Sequence, residues 1–501
     1  MNVKSGHSPT ERLDVLIVGA GISGINTAYR VQTELPEYRY AVLEARSNIG
    51  GTWDLFNYPG IRSDSDLHTF GFPWSPWTEN RAIADGASIA RYMKENTTKY
   101  GIDRHIRLGH RLLSANWSSE LQNWNVTVEV TNQDKPHIIH LQTTFLVLGT
   151  GYYNYNEPLN VQIPGLNENF RGHIIHPQFW PETLDYTGKK IVVIGSGATA
   201  ITLIPNLAPK AAKVTMLQRS PTYIMTLPNA TATSWFHKCI PSSLSFNLTR
   251  LWFLLSQIVV YTFCRAFPNK ARSMIQSEIA KQLPSDIPVN PHFTPSYNPW
   301  DQRLCFTPDG DFFECLRSGK ATIVTDYIRS VQDNHILLES GETLEADIIV
   351  TATGLKIGLA IDIDLAVDSH PVNINEYYAW QSTMLNDIPN LFFMIGYTNA
   401  PWTLGIDASA KLLVRLLNHA KKNQITSIVP YMADADSREG VKDLPIWNLK
   451  ASYVKAGGGR MPRCRDLGPW RGRTNYFWDL WRARWGGLQG LRFYRGVREV
   501  K

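Results

Sequence analysis

Two segments of this chain share one plan, in which an apolar, mostly β-branched run breaks at closely spaced small residues and a helix-compatible stretch follows. The segments read DVLIVGAGISG and KIVVIGSGATA. An apolar run without polar alternation is typical of a parallel strand buried on both faces. A glycine turn between such a strand and a helix lets a diphosphate lie against the helix N-terminus. The residues expected to form the two turns are Gly19, Gly21 and Gly24, and Gly195, Gly197, Thr199 and Ala200. The sequence therefore predicts an α/β fold with two Rossmann-like dinucleotide-binding domains.

The strand after each turn ends in a different kind of residue. YAVLEAR places Glu44 20 residues after Gly24, where a carboxylate accepts hydrogen bonds from an adenosine ribose. KVTMLQRS instead ends at Arg219, where a cation pairs with a ribose 2′-phosphate that an acid would repel. We therefore expect NADPH at the second site. A solvated strand-end charge is the alternative role for Arg219.

The segment Gly50 to Asp64, GGTWDLFNYPGIRSD, follows the first module. Its two glycines give a backbone that can lie against a ring system, and Trp53 offers an aromatic face. Gly51, Thr52, Trp53 and Asp64 are therefore candidate cofactor residues, and we expect FAD at the first site. On composition alone, the segment would be a loop with a core Trp.

Two further strands, FLVLGTG and DIIVTATG, share a Thr-Gly ending, and their spacing predicts that the second module is inserted into the first. Long helical patterns without a nucleotide motif predict a helical insertion between them. The predicted organisation is an FAD-binding domain at 1–155 and 381–501, an NADPH-binding domain at 156–225 and 321–380, and the helical insertion at 226–320. The stretch IDASAKLLVRLLNHAKK, with leucines at core-facing spacing, is expected to be the last helix of the first module.

The residues between the two modules carry a family resemblance. FRGHIIHPQFWP contains Phe170, Gly172, His176, Trp180 and Pro181, a pattern that resembles the signature of type I Baeyer–Villiger monooxygenases. The Gly50 to Asp64 segment also resembles a second signature of that family. Three further stretches, around residues 295–313, 398–407 and 469–480, look most like the subgroup that contains the ethionamide-activating monooxygenase. For His176 the resemblance implies a part in domain motion, whereas a satisfied core histidine is the simpler local role.

The resemblance implies an FAD- and NADPH-dependent monooxygenase. Reduced FAD would form a flavin peroxide with dioxygen, which inserts one oxygen atom next to a ketone carbonyl to give an ester or lactone, and also attacks sulfides. Arg303 matches the catalytic arginine of the family, although Gln302 and Leu304 differ from the family's neighbours. A fixed guanidinium would stabilise the developing oxyanion, and Asp64 would hold it. A structural salt bridge for Arg303 and a turn cap for Asp64 are the alternatives.

Charge is unevenly distributed along the chain. The net charge is +6, yet Arg460 to the C-terminus contains eleven Lys/Arg and only three acids. This tail also holds four tryptophans, which favours packing at a domain edge or a membrane surface over nucleic-acid binding. The apolar run Leu251 to Cys264 is shorter than the ~20 residues of a spanning helix, so a buried or interfacial helix is expected. Peripheral membrane association is therefore an open alternative.

Five scattered cysteines without a C-x-x-C pair disfavour structural disulfides, zinc ribbons and dithiol redox chemistry. With a polar N-terminus, this favours a cytoplasmic protein without a metal site. We expect a small apolar ketone or thioether-like substrate and no nucleic acid. The competing functions are a flavin monooxygenase that oxygenates nitrogen or sulfur, an NADPH oxidase, and a catalytically silent membrane-associated flavoprotein.

Overall fold

The computed structural model describes residues 10–133, 135–230, 241–433, 441–447 and 449–500. The strands are β1 Glu11–Val18, β2 Tyr40–Glu44, β3 Ile106–Leu108, β4 His110–Ser118, β5 Asn123–Val130, β6 His137–Leu148, β7 His173–Ile175, β8 Lys190–Ile194, β9 Lys213–Gln218, β10 Ile224–Leu227, β11 Cys305–Pro308, β12 Ala321–Thr325, β13 Ile328–Val331, β14 His335–Leu338, β15 Thr343–Glu345, β16 Ile348–Thr351, β17 Asp364–Val367, β18 His370–Pro371, β19 Ala379–Trp380, β20 Met384–Leu385, β21 Leu391–Phe393, β22 Ser427–Pro430, β23 Asp443–Pro445, β24 Arg463–Arg465, β25 Leu491–Arg495 and β26 Arg498–Val500. The α-helices are α1 Ile22–Glu34, α2 Thr52–Leu55, α3 Leu67–Phe70, α4 Gly86–Lys99, α5 Leu166–Asn169, α6 Ala198–Leu207, α7 Ser242–Ala266, α8 Pro268–Gln282, α9 Val289–His292, α10 Asp311–Arg317, α11 Trp402–Lys422, α12 Ser452–Gly457 and α13 Tyr476–Trp485.

The larger sheet has the strand order β18-β17-β4-β5-β6-β1-β2-β3, and β21, β20 and β19 extend it from β6. β1 pairs in parallel with β2 on one side and β6 on the other, so Val15 lies opposite Tyr40 and Phe145. Val15, Leu16 and Ile17 are completely buried. The apolar run of the first module is therefore a strand covered on both faces, as predicted.

The smaller sheet has the order β12-β9-β8-β16-β7 and is parallel throughout. The chain leaves the larger sheet after β6 and returns to it at β17. The two connecting segments run antiparallel beside each other. Asn154 N donates to Lys356 O at 2.7 Å, and Gly358 N donates to Tyr152 O at 3.0 Å. The smaller sheet is thus inserted within the sequence of the larger one.

One predicted domain boundary differs from the sheet membership. Residues 321–380 were assigned to the NADPH-binding domain, yet β17 and β18 belong to the larger sheet. β17 pairs in parallel with β4, which places the buried Leu365 opposite Ala115. A boundary near residue 360 therefore fits the strand pairing better than one at 380.

Helix α11 covers the larger sheet. Its leucines at positions 412, 413, 416 and 417 are buried in the same apolar cluster as Val15 and Ile17, as predicted. α11 also contacts α1, where Arg30 Nη2 lies 2.8 Å from an Asp407 oxygen whose side chain is fully buried. The first module therefore has its last helix against its first.

The predicted insertion, 226–320, contains α7 to α10, and β10 and β11 pair in parallel before α7 and after α9. Among the described residues, no single helix is both long and apolar enough to cross a bilayer; α7 and α8 meet the length and composition test only as a pair bent by 113°. The Leu251 to Cys264 run, expected to form a buried or interfacial helix, lies within α7 and is buried on one side only. Leu254 and Cys264 are buried, whereas Leu251, Trp252 and Val259 are exposed.

Candidate active site

The first glycine turn is folded so tightly that its helix begins immediately. α1 starts directly after Gly21, and no side chain caps its N-terminus. A Cβ on Gly24 would stand 1.8 Å from Gly19 O, so only glycine fits between strand and helix there. A Cβ on Gly21 would meet Gly51 Cα at 3.5 Å. The uncapped amides of α1 can therefore bind an anion.

Glu44 lies buried at the end of β2, close to this turn. Its Oε2 accepts from Ala20 N at 2.7 Å, and its Oε1 accepts from Arg46 N at 3.0 Å. Burial raises the pKa of Glu44, while these two donors partly offset the rise. Each carboxylate oxygen has a further lone pair, so a ribose hydroxyl can still donate to it.

The Gly50 to Asp64 segment packs beneath the first turn. A Cβ on Gly51 would stand 3.1 Å from Gly21 Cα. The Tyr153 hydroxyl donates to Thr52 Oγ1 at 2.6 Å. The half-buried Trp53 ring stands edge-on to Phe70, with ring centroids 5.7 Å apart. The backbone of this segment therefore lies directly against the first glycine turn.

The second turn repeats the arrangement. α6 begins directly after Gly197 without a side-chain cap, and Ala200 is completely buried between helix and sheet. The Thr199 side chain hydrogen-bonds to Tyr58 of the Gly50 to Asp64 segment, which links the two modules. Arg219 is exposed at the end of β9 and forms no ion pair with any residue that the structure describes. Its position suits a phosphate partner.

Four of the five fingerprint residues lie outside the candidate site. Phe170 is buried, and a Cβ on Gly172 would lie 2.6 Å from its ring. Trp180 is half-buried and stands edge-on to Tyr186, and Pro181 is exposed. None of the four lies on the walls of the cavity described below.

His176, the fifth fingerprint residue, connects the two segments that run between the sheets. Its Nδ1 accepts from Gln178 N at 3.3 Å, so Nε2 carries the proton and donates to Gly354 O at 3.2 Å. Burial lowers the pKa of His176, which favours this neutral form. Its local role is therefore that of a satisfied histidine.

Arg303 and Asp64 meet across 239 residues of sequence. Arg303 Nη2 donates to Asp64 Oδ1 at 3.0 Å and to Ser65 Oγ at 3.5 Å. The Asp64 carboxylate raises the pKa of Arg303. The two side chains remain 40% and 28% accessible, because both face a cavity. The structure thus brings the two predicted residues, Asp64 and Arg303, into direct contact.

A cavity of about 1470 Å³ joins both glycine turns. The predicted residues on its walls are Gly19, Gly21, Glu44, Gly51, Thr52, Trp53, Asp64, His176, Gly195, Gly197, Thr199, Arg219 and Arg303. Gly24 and Ala200 instead pack helix against strand. The volume exceeds the ~300–1000 Å³ of a pocket for one small molecule, so it accommodates more than one ligand.

The polar groups on the walls fit FAD and a nicotinamide dinucleotide. The hydroxyls of Thr150 and Thr353, one in each Thr-Gly strand ending, are buried without a hydrogen-bond partner among the described residues. Buried hydroxyls ordinarily have partners, so these two indicate ligand contacts. Two uncapped helix N-termini, one buried carboxylate and one exposed arginine complete a donor set that suits two dinucleotides.

Sequence reasoning missed several aromatic residues of the cavity. The Tyr152 and Trp402 rings lie 4.7 Å apart, and Tyr453 packs over Gly354. Burial raises the pKa of both tyrosines, so their hydroxyls stay protonated. Burial also raises the pKa of the neighbouring Cys305 to about 12, which keeps the thiol neutral. The Thr-Gly ending could have indicated Tyr152, which follows it, but no local pattern marks Tyr453.

Comparison with known proteins identifies the family. A family model described as an NAD(P)-binding Rossmann-like domain matches residues 17–85, which contain the first glycine turn. FAD-containing monooxygenase EthA of Mycobacterium tuberculosis is 45% identical, covering 97% of this chain and 98% of EthA. The probable FAD-binding monooxygenase AlmA of Acinetobacter baylyi is 42% identical, covering 97% of this chain and 96% of AlmA. This chain belongs to the FAD-containing monooxygenases.

The fold of this FAD-containing monooxygenase also has a solved counterpart. Cyclohexanone monooxygenase from Rhodococcus sp. Phi1 bound to NADP+ superposes with a TM-score of 0.69 at 21% identity, covering 85% of this chain and 88% of that one. The predicted flavoprotein monooxygenase class, FAD as its cofactor and the Rossmann-like α/β fold are thus confirmed.

Proposed function

We propose that this enzyme uses NADPH and dioxygen to insert one oxygen atom next to a ketone carbonyl, giving an ester or lactone. Bound FAD, once reduced by NADPH, supplies the activation of dioxygen. The observation that carries the proposal is the Arg303–Asp64 pair, which faces a cavity shared by both glycine turns. The likeness in fold to cyclohexanone monooxygenase supports it.

Each glycine turn would hold one cofactor. The first would bind FAD through the amides of α1, the Glu44 carboxylate and the backbone of Gly51 to Trp53. The second would bind NADPH through the amides of α6, with Arg219 on the ribose phosphate. Because both turns open into one cavity, the two ring systems can meet in it.

Arg303 would stabilise negative charge at the carbonyl oxygen of the substrate. Asp64 and Ser65 engage only Nη2 in the described structure, so the remaining guanidinium donors are free to serve the cavity. A guanidinium keeps its charge at every working pH, and a fixed cation at a developing oxyanion lowers the barrier directly. Asp64 would act as the positioning residue that fixes the orientation of the Arg303 guanidinium.

The substrate would be a small apolar ketone, because Tyr152, Phe306 and Trp402 line the same cavity. A thioether-like compound would fit the same walls and be sulfoxidised. We also propose a cytoplasmic enzyme that associates peripherally with a membrane. The four described cysteines are all buried and unpaired, which suits a reducing compartment.

The test is product analysis with the purified holoenzyme, NADPH and isotope-labelled dioxygen. A water-soluble cyclic ketone should yield a lactone that carries one labelled oxygen atom, and a matched thioether should yield a sulfoxide. Release of all consumed oxygen as hydrogen peroxide with both substrates would contradict the proposal and favour an NADPH oxidase. Oxygenation of the thioether alone would favour a sulfur-oxygenating monooxygenase.

A further inference from the structure

Helix α7 has its polar side inward. Ser245 and Thr249 are completely buried on that side. Arg250 Nη1 donates to the carbonyl oxygens of His68 at 2.7 Å and Gly71 at 3.1 Å. Gln257 donates to Thr69 Oγ1 at 3.2 Å and also to the Asp66 carboxylate. These hydrogen bonds attach the helix to the α3 region, together with the Phe253 ring, which stacks on His68 with centroids 5.0 Å apart.

The opposite side of α7 is apolar and exposed. Its members, with their exposed fractions, are Leu244 at 51%, Leu248 at 38%, Leu251 at 42%, Trp252 at 63%, Leu255 at 47% and Val259 at 65%. A surface helix of a globular protein has the reverse arrangement, with its apolar stripe toward the core. At 1.5 Å per residue, the stripe from Leu244 to Val259 extends over about 22 Å of the 25-residue helix.

Helix α13 exposes a second apolar stripe. Phe477, Trp478, Trp481 and Trp485 are between 41% and 64% exposed, and the Trp478 and Trp481 rings stack with centroids 5.0 Å apart. These positions recur every three or four residues and therefore share one side of the helix. The stripes of α7 and α13 together are called the apolar face below.

The two stripes are connected. Leu254 of α7 and Tyr476 of α13 belong to one apolar cluster, which also includes Tyr397 and Leu404, and Arg250 hydrogen-bonds to Tyr476. The exposed neighbours of these residues, Leu251 and Leu255 on one helix and Phe477 on the other, lie on both sides of the contact. The two exposed stripes therefore flank one contact between the helices.

Cations accompany two exposed aromatic rings, one directly after α7 and one in the α13 stripe. Lys270 Nζ lies 5.6 Å from the centroid of Phe267, the exposed residue between α7 and α8. The Arg484 guanidinium lies 5.6 Å from the centroid of Trp485. Trp at headgroup depth and long cationic side chains that reach toward headgroups are typical of a helix that lies in a membrane interface. The basic C-terminal segment adds attraction to an anionic surface.

We propose that the apolar face docks on an anionic lipid bilayer, with α7 lying in the plane of the headgroups. The assignment rests on the peripheral association proposed above and names the surface responsible. The 113° bend between α7 and α8 fits a helix pair that lies on a bilayer rather than one that crosses it. Tyr397 and Ala400 pack in the same cluster as Leu254 and also line the active-site cavity, so α7 borders residues of that cavity. An apolar substrate dissolved in lipid would then approach the cavity from its docked side.

The experiment is flotation of the full-length holoenzyme with vesicles of phosphatidylglycerol and, separately, of phosphatidylcholine. The protein should float with the anionic vesicles and should be released by high salt only in part, since apolar burial persists. Trp252→Gln combined with Val259→Gln should lower the vesicle partition by roughly 100-fold, or about ten-fold for each side chain withdrawn from lipid. Leu121→Gln combined with Ile138→Gln, which removes two apolar residues that are 57% and 48% exposed in the β4–β5–β6 hairpins, should leave it unchanged.

FAD content shows whether each variant folds. Turnover of a water-soluble ketone without vesicles measures the proposed chemistry separately from membrane binding. A parent enzyme that stays unbound with both vesicle types would overturn the proposal, whatever its activity. Equal loss of flotation in both double variants would also overturn it. Sedimentation velocity without lipid tests whether a second copy of this chain covers the apolar face instead. A parent enzyme that forms an oligomer, together with a Trp252→Gln/Val259→Gln variant that is monomeric, would assign the face to that second copy and overturn the proposal.

Discussion

Replacing Arg303 with alanine separates its proposed chemistry from a structural role. The variant keeps both glycine turns but removes the cation that faces the cavity. Removing one preorganised donor from a developing oxyanion costs about 2.7–4 kcal/mol, and since each ~1.4 kcal/mol is a factor of ten, ester formation should fall about 100- to 1000-fold. The ion pair with Asp64 is partly accessible, so its loss should cost at most about 1 kcal/mol of folding stability.

The assay compares ester formation, NADPH consumption and peroxide release in the same reaction, with FAD content as the test of folding. We expect the variant to bind FAD and to consume NADPH, but to release peroxide in place of ester. Arg265→Ala is the matched control, because Arg265 pairs with Asp301 at 2.8 Å with similar exposure and lies outside the cavity walls. Unchanged ester formation in Arg303→Ala would refute the reasoning, and an equal loss in Arg265→Ala would make the effect structural.

Three further changes test other parts of the site. Arg219→Ala should lower kcat/KM for NADPH about 10- to 100-fold, which corresponds to the loss of one hydrogen bond to a charged group. The kcat/KM for NADH should hardly change. An unchanged preference for NADPH would mean that another residue binds the 2′-phosphate. Gly24→Ala should abolish FAD retention, because the added Cβ would stand 1.8 Å from Gly19 O. Gly458→Ala is the control and should retain FAD, because no atom lies within 4 Å of a Cβ at that position. Equal flavin content in the two variants would contradict the close-packing argument. Burial raises the pKa of Asp66 to about 6. Between pH 4 and 6 the unfolded chain therefore releases a proton that the folded protein retains. The free energy of unfolding should then fall by up to about 3 kcal/mol as the pH rises through this range. Asp66→Asn should remove that fall, and identical pH profiles of Tm for both proteins would show that Asp66 does not titrate in this way.

The parts of the fold that the sequence predicts are those encoded locally. A glycine turn and its flanking strand and helix lie within about 25 residues, and the packing of Gly24 against Gly19 follows from that spacing. The Arg303–Asp64 pair was predicted through a resemblance, because nothing local connects residues 239 apart. β17 was misassigned because a four-residue strand has too little pattern to name its partner.

Two features depended on contacts that sequence patterns do not carry. Tyr453 lines the cavity and packs on Gly354, a residue 99 positions earlier. The length and apolar character of the Leu251 to Cys264 run predict a buried or interfacial helix, but they cannot tell which side of that helix faces inward. The sides were set by Arg250 and Gln257, whose partners lie about 180–190 residues away.

The paired connection between the two sheets has a consequence for how this architecture can change. Two backbone hydrogen bonds, from Asn154 N to Lys356 O at 2.7 Å and from Gly358 N to Tyr152 O at 3.0 Å, hold the entry and exit of the inserted module side by side. Because the two ends of the inserted module lie this close together, the module of a relative can replace it as one unit without altering the path of the surrounding chain. A proteolytic cut in either connecting segment would likewise leave the two sheets covalently joined through the other.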